Sequence, residues 1–301
     1  MMKYRSEYLY EYAKEHIPDR DVPPILVPSY NRPDAKLLQR LLEEPELPII
    51  LCIRREQEEL YSRWKGKCQF LLLDNVHDIA ETRAEIVRLV SPWLKSAFMF
   101  DDDINELDYL IPSLTRNGVE SMRTSKLNTK IVPRFIDILK MWLCLNDQCD
   151  KKLTISTPLY RPDSWHIKNK DAETRYNNGA CIQCIWLNLE NLKYAGINYK
   201  PHIEVGNEDY AIQFDIMSTG LLSAVFTDLM YGCPAVNSHP GGCENANGYS
   251  DAFERYRWYV SRAKLYYGDH PGIKYVTTKR TGIESVKFNW KYWREQYEHC
   301  N

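Results

Sequence analysis

The sequence predicts an α/β fold, a mixed and mostly parallel sheet flanked by helices. Short apolar, β-branched runs alternate with segments of helical spacing through the first hundred residues. The helical segments are too long for turns, and several apolar runs end in Ser, Asn or Asp. Strands that alternate with helices of this length build βαβ units, and such sheets bind ligands outside the carboxyl ends of their strands.

The elements follow in order. PPILVPSY (23–30) is an apolar run ending in turn chemistry, and AKLLQRLLEE (35–44) has helical spacing. LPIILCI (47–53) is a buried strand by its β-branched content, EQEELYSRW (56–64) a helix, and CQFLLLD (68–74) a strand. IAETRAEIVRLV (79–90) is a helix stopped by Ser91-Pro92, and SAFMFDDDI (96–104) is a strand that runs into three acids. In the second half a helix is expected from Pro133 to Asn146, with strands at KLTISTP (152–158), GACIQCIWLN (179–188) and LLSAVFTDLMY (221–231). NEDYAIQFDIMSTG (207–220) reads as a helix with Asn207 near its N-cap and Gly220 as its stop. A loop rich in Gly, Pro and Asn follows. The helix DAFERYRWYVSRAKLYY (251–267) places Tyr256, Tyr259, Val260, Ala263 and Tyr267 at core-facing spacing. After Pro271 come a short strand or two and an aromatic helix.

The 301 residues, 44% hydrophobic and 27% charged, suffice for one large core or one core with a modest lobe. No apolar run approaches the roughly 18 residues of a spanning helix. The charged, aromatic start MMKYRSEYLYEYAKEH fits neither a signal peptide nor a membrane anchor. Nine cysteines in a chain this large read as reduced thiols, which implies the cytoplasm. No GxxxxGK[ST] or GxGxxG occurs, so ATP-loop and dinucleotide readings lose their main support.

Three polar clusters fall at expected strand ends: Pro28-Ser29-Tyr30-Asn31-Arg32, Asp74-Asn75, and Asp101-Asp102-Asp103. Three adjacent carboxylates repel one another and need a cation, a basic partner or full hydration. Alternating side chains put Asp101 and Asp103 on one side and Asp102 on the other. Mg²⁺ or Mn²⁺ on one or two of these oxygens would complete its shell with water and diphosphate oxygens. A solvated acidic turn is the plainer reading of the same three residues. Glu208 and Asp209 open a helix, where the macrodipole favours negative charge. The same two are candidates for a general base, Asp209 ahead of Glu208, with Glu208 as an alternative orienter of an acceptor hydroxyl.

Taken together, ILVPSYNRP, FMFDDDI and VGNEDYAIQFDIMSTG resemble the A-type glycosyltransferase fold across residues 22 to 240. Within it, AETRAEIVRLV, FMFDDDIN, NNGACIQCIWLN and YGCPAVNSHPGG resemble the TET-associated glycosyltransferases of bacteriophages. DNVHDIAETR replaces that family's usual Gly-containing lead-in. The resemblance implies a metal-dependent enzyme that moves a sugar from a nucleotide-sugar, expected to be UDP-linked, to a hydroxymethylated pyrimidine in phage DNA. It implies a core over 22–245, with a Rossmann-like nucleotide-sugar half (22–105), an acceptor half (106–245), and a helical basic-aromatic extension (246–301). Pro28, Ser29, Tyr30, Arg32, Asp74, Arg83 and Asp102 would serve the nucleotide-sugar, Arg83 by touching the diphosphate or fixing the acidic loop. Asp101, Asp103 and His239 would hold the cation, and Asp209 would be the base. A glycan acceptor keeps the fold and changes the substrate. A sugar nucleotidyltransferase is less expected, because no Gly-rich loop precedes a Lys in the first unit. A non-catalytic DNA- or sugar-binding module is the reading from another class.

The net charge of −2 makes no case for a polyanion partner, but its distribution does. From Lys274 to Arg294 there are six basic residues and one acid among five aromatics. Lys279, Arg280, Lys287 and Trp290 are the candidate DNA contacts there, cations for phosphates and an aromatic face for an extruded base. The same composition describes an amphipathic closing helix. Cys181, Cys184, Cys233 and Cys243 invite a zinc reading, set aside because strand residues three apart diverge. Gly241-Gly242 is weak evidence for a phosphate nest.

Overall fold

The computed structural model describes residues 21–114, 120–124, 134–160, 180–233, 252–277 and 282–298. Nine of its strands form one sheet. They are β1 (Ile25–Pro28), β2 (Ile49–Arg54), β3 (Gln69–Leu73), β4 (Ser96–Phe100), β5 (Glu106–Leu114), β6 (Glu120–Thr124), β7 (Leu153–Tyr160), β8 (Cys184–Asn188) and β9 (Leu222–Gly232). Their spatial order is β3-β2-β1-β4-β8-β7-β9-β5-β6. The first four run parallel, β7 and β9 are parallel to each other, and β8 and β5 run against their neighbours. The mixed, mostly parallel sheet expected from the alternating elements is therefore present.

The helices are α1 (Lys36–Leu41), α2 (Ile79–Val90), α3 (Phe135–Asp147), α4 (Leu189–Ala195), α5 (His202–Val205), α6 (Glu208–Ser218), α7 (Ala252–Tyr267) and α8 (Trp290–Glu298). They cover a sheet whose central strands bury both faces. Along β1 and β4, Ile25, Val27, Phe98 and Phe100 join one core with α1 and α3, while Leu26, Ala97 and Met99 join another with α2 and α4. That is the period of two written into two apolar runs. Trp142 of α3 closes the first core, its ring 5.0 Å from Phe98 and stacked 6.2 Å from Phe100. Its indole N–H donates to Ser156 at 2.8 Å, and Ser156 donates to Asn146 Oδ1 at 2.8 Å, so the buried indole and hydroxyl are answered.

Two expected helices differ in the structure. The run 35–44 stays helical only to Leu41, and Pro45 disfavours helix at Glu44. The freed Glu44 carboxylate accepts the Phe135 and Ile136 N–H groups at 2.6 and 3.0 Å and caps α3. The run 56–64 is two short 3₁₀ turns, Arg55–Gln57 and Ser62–Trp64, rather than a helix. Its Gln57, Tyr61 and Trp64 keep helical spacing but spend their polar ends on the loop after β1. Strands β5 and β6 and helices α4 and α5 are additions that the sequence reading lacks.

A third core lies under the C-terminal segment. A hairpin of β10 (Ile273–Thr277) and β11 (Glu284–Phe288), with α7 and α8, packs on Tyr210, Phe214 and Met217 of α6. Tyr210 stacks on Phe288 at 5.0 Å with the planes 2° apart. Val260, Ala263 and Tyr267 are buried as expected of a core face, whereas Tyr256 is exposed. Farther along α6, Asp215 accepts the Tyr266 hydroxyl at 2.5 Å and pairs with Lys200, whose ammonium also reaches Tyr266 at 2.6 Å. The seven described cysteines are free thiols. Among the described residues no helix is long and apolar enough to cross a membrane.

Gly272 has no Cβ because the Trp293 ring occupies that space, and the indole N–H donates to the Gly272 carbonyl at 2.9 Å. Gly272→Ala is expected to cost about 1–3 kcal/mol by overpacking. A lower urea midpoint with an unchanged slope would show it; wild-type stability would refute this close approach.

Candidate active site

The parallel strands progress outward from β1 to β3, and the chain then returns to β4 on the other side of β1. This reversal creates a crevice at the carboxyl ends of β1 and β4. Ser29 and Asp102 meet there. The Ser29 hydroxyl donates to Asp102 at 2.6 Å and lies 2.7 Å from the Tyr61 hydroxyl. Tyr61 accepts the Arg32 N–H at 3.0 Å, so a single run of donors leads from the β1 loop to Asp102. Arg32 Nη1 bonds Asp102 at 2.9 Å and Asp103 at 3.3 Å. Burial pushes the Asp102 carboxyl up to about 6 against the pull of Arg32 and Ser29.

The second constellation centres on Arg83. Asp78 caps α2 by accepting the Glu81 N–H at 2.8 Å, and the helix carries Arg83 inward. Its guanidinium donates to Asp101 at 2.7 Å, to Glu208 at 2.7 Å and to Asp209 at 2.5 Å. Glu208 and Asp209 arrive on α6, whose first turn is set by Asn207 accepting the Tyr210 N–H at 2.9 Å. The expected N-cap is thus in place, and so is the stop: Gly220 follows the C-cap with φ 77°, its N–H bonding the Met217 carbonyl at 3.1 Å and the Leu221 N–H the Ile216 carbonyl at 3.1 Å. Glu208 gives its remaining oxygen to His202 Nε2 at 2.5 Å. Burial raises the Glu208 carboxyl, but His202 and Arg83 outweigh it and hold it down to about 2. For Asp209 burial prevails with the help of Glu208 and Asp101, against Arg83, and the carboxyl rises to about 8.

Exposure sorts the five acids. The side chains of Asp102 and Glu208 are 7% exposed, while Asp101, Asp103 and Asp209 keep 22%, 29% and 13%. Five carboxylates share two guanidiniums and one imidazole, so the site is short of positive charge. One buried oxygen of Asp103, Oδ1, has no hydrogen-bond partner. The backbone is strained around the same edge: Asn31, Asn75 and Gln183 have φ of 55°, 57° and 60°. The strained Gln183 aims its carbonyl at the Asp101 N–H, 2.7 Å away.

Several expected roles change on this geometry. Strand β4 ends at Phe100, so alternation does not govern the acids, and Asp103 shares Arg32 with Asp102. Arg83 is 3% exposed and bonded to three carboxylates, which removes the diphosphate contact and leaves the loop-fixing role. Asp102 and Ser29 are buried in mutual contact, so they shape the crevice rather than reach out of it. Pro28 is likewise buried in β1. Glu208 is 7% exposed and holds Arg83 with one oxygen and His202 with the other, a structural use rather than one on an acceptor hydroxyl. Tyr30 lies under the Arg54 guanidinium at 4.2 Å, and Asp74 is an exposed, doubly bonded partner of Arg55 at 2.7 and 2.9 Å. Lys287 is exposed on β11, but half-buried Trp290 packs on Phe288 at 4.8 Å and is not an open stacking face. His239, Lys279, Arg280, Cys243, Gly241 and Gly242 lie outside the described residues.

Tyr61, Gln57, His202 and Gln183 are the residues that sequence reasoning passed over. Only Tyr61 and Gln57 left a trace, within the run 56–64 that was expected to be a helix.

No family model matches the chain, and no curated protein matches it in sequence. Among solved structures it is similar to GalNAc-T7 with UDP, GalNAc and Mn²⁺, at 11% identity and a TM-score of 0.45, over 92% of this chain and 55% of that one. It is also similar to a cytidylyltransferase from Leptospira borgpetersenii, at 8% identity and a TM-score of 0.39, over 69% and 76% of the two chains. A putative glucose-1-phosphate thymidylyltransferase from Bacillus anthracis matches at 10% identity and a TM-score of 0.37, over 70% and 87%. These similarities are of fold alone.

Replacing Arg83 by Met leaves three carboxylates facing one another and is expected to cost about 3–5 kcal/mol. Tyr61→Phe removes one hydroxyl from the Ser29 run and should cost less, about 1–2 kcal/mol. Urea unfolding of both variants checks the order; equal losses would contradict the central place of Arg83.

Proposed function

We propose that the chain is a nucleotide-sugar-dependent glycosyltransferase that works with a divalent cation. The observation that carries this reading is the division of the acids. Asp102 and Glu208 are spent inward, while Asp101, Asp103 and Asp209 stay partly open beside the β1–β4 crevice. Among the described residues no three His, Cys, Asp or Glu side chains gather into a metal cage of protein groups. That suits Mg²⁺ or Mn²⁺, which commonly take one or two carboxylates and fill the shell with water and substrate phosphates. Asp101 and Asp103 are the residues to hold it, and the unpartnered Asp103 oxygen is a hard donor of the right kind. When bound, the cation offsets charge on the departing nucleoside diphosphate.

Asp209 is the catalytic base of this reading. Its upward-shifted carboxyl suits taking a proton from an acceptor hydroxyl near neutral pH. Arg83 holds it beside Asp101. If the product keeps the donor's configuration, Asp209 instead flanks the anomeric carbon.

The acceptor we infer is a hydroxymethylated pyrimidine in DNA. Support comes from the sequence resemblance and from one feature of the hairpin. Lys274 and Lys287 stand directly opposite each other across β10 and β11, both exposed. Like charges in a cross-strand pair are destabilising, and a phosphate relieves them.

Incubation with UDP-sugars, Mn²⁺ and DNA carrying 5-hydroxymethylcytosine should raise the modified nucleoside by one sugar mass. Donor hydrolysis with unmodified DNA would instead favour a glycan acceptor, and no nucleotide binding at all would leave a binding module. Asp101→Ala and Asp103→Ala should abolish Mn²⁺-dependent nucleotide binding in a folded protein. Asp209→Asn should keep donor binding and lose roughly 10²–10⁴ in kcat. Full activity in Asp101→Ala would end the metal-site reading.

A further inference from the structure

We propose that His202 is a positioning residue of this site, seated by the α7 backbone at Tyr259. The proposal rests on the assignment of Asp209 as base. His202 opens α5 behind Pro201 and is buried. Its Nε2 meets Glu208 at 2.5 Å, and its Nδ1 faces Asp78, the cap of α2, at 3.7 Å. Its ring stands edge-on to Tyr259 at 5.7 Å.

The turn after α5 is fitted to the same residue of α7. Gly206 has φ +79°, and a Cβ there would collide with the Tyr259 carbonyl oxygen. Only glycine combines that backbone with that approach. The Gly206 N–H closes back on the His202 carbonyl at 2.8 Å, and Asn207 starts α6 immediately afterwards. One contact with α7 therefore sets both the imidazole and the helix that carries the acids.

The chemical consequence concerns how Arg83 is shared. A guanidinium and a lone carboxylate prefer a two-bond fork. If both Glu208 oxygens were available, that fork would draw Arg83 away from Asp101 and Asp209. His202 occupies Oε2, so Glu208 takes a single bond from Arg83 through Oε1. The same Nη1 then has a second N–H for Asp209, and Nη2 serves Asp101; these acids lie 126 and 18 residues from Arg83 in sequence. His202 thereby keeps the base beside the acidic loop without touching substrate.

His202→Gln keeps an N–H donor toward Glu208, and His202→Ala removes it. His202→Ala should lose ten- to a hundred-fold in kcat, with the donor KM within about two-fold, and His202→Gln should recover to within about five-fold of wild type. A second readout needs no substrate: the Arg83 side-chain ¹⁵N–¹H resonances should move in His202→Ala and return in His202→Gln. Unchanged Arg83 resonances in His202→Ala, or equal kcat losses in the two variants, would overturn the proposal. Moved and restored resonances in a protein that transfers no sugar would uphold the positioning and overturn the proposed reaction alone.

Discussion

The structure is organised around one buried guanidinium. Arg83 joins α2 to the end of β4 and to the start of α6, so three elements distant in sequence meet on a single planar cation. A buried ion is costly unless its charge is answered, and three carboxylates answer this one through Nη1 and Nη2. The arrangement also leaves negative charge over. That surplus lies on the partly open acids, the place where a cation and its phosphates would be received.

The second constraint is the lock between β1 and β4. Apolar side chains settle the order of the strands, but they do not settle how the two loops at the crevice lie. The run Arg32 N–H, Tyr61, Ser29 and Asp102 does that with hydrogen bonds among groups that are mostly buried. Unmade hydrogen bonds in such a place are expensive, so the loops are held firmly. The positive φ values at Asn31, Asn75 and Gln183 are tolerated at this edge because the surroundings fix it.

Much of this was legible beforehand, for identifiable reasons. Strand β4 shows itself because Phe98, Met99 and Phe100 precede acids without a break, and α6 because Asn207 is a side-chain cap before an acidic turn. The hold of Arg83 on the acidic loop was anticipated through the resemblance, but its partners on α6 were not, since Glu208 lies 125 residues away and pairing at that distance leaves no local pattern. His202 follows Pro201 in a four-residue helix too short for periodicity to mark. β5 contains Pro112, which argues against a strand, yet pairing with β9 ends at Tyr109 and the proline lies beyond it, beside β6. The run 56–64 misled because its spacing was helical while its purpose was polar.

The attachment of α6 at its far end has a mechanical consequence. A rod of eleven residues is about 16 Å long. Held at one end only, it would swing, and a tilt of about 4° would sweep the other end through about 1 Å. Ile212, Ile216 and Met217, buried along its length, and Asp215, gripped by Lys200 and Tyr266 near the last turn, take that freedom away. What is left is bowing, which must lengthen the rod's own backbone bonds. The two acids at its tip are thus steadied by a grip two turns distant, made by side chains that take no part in the chemistry.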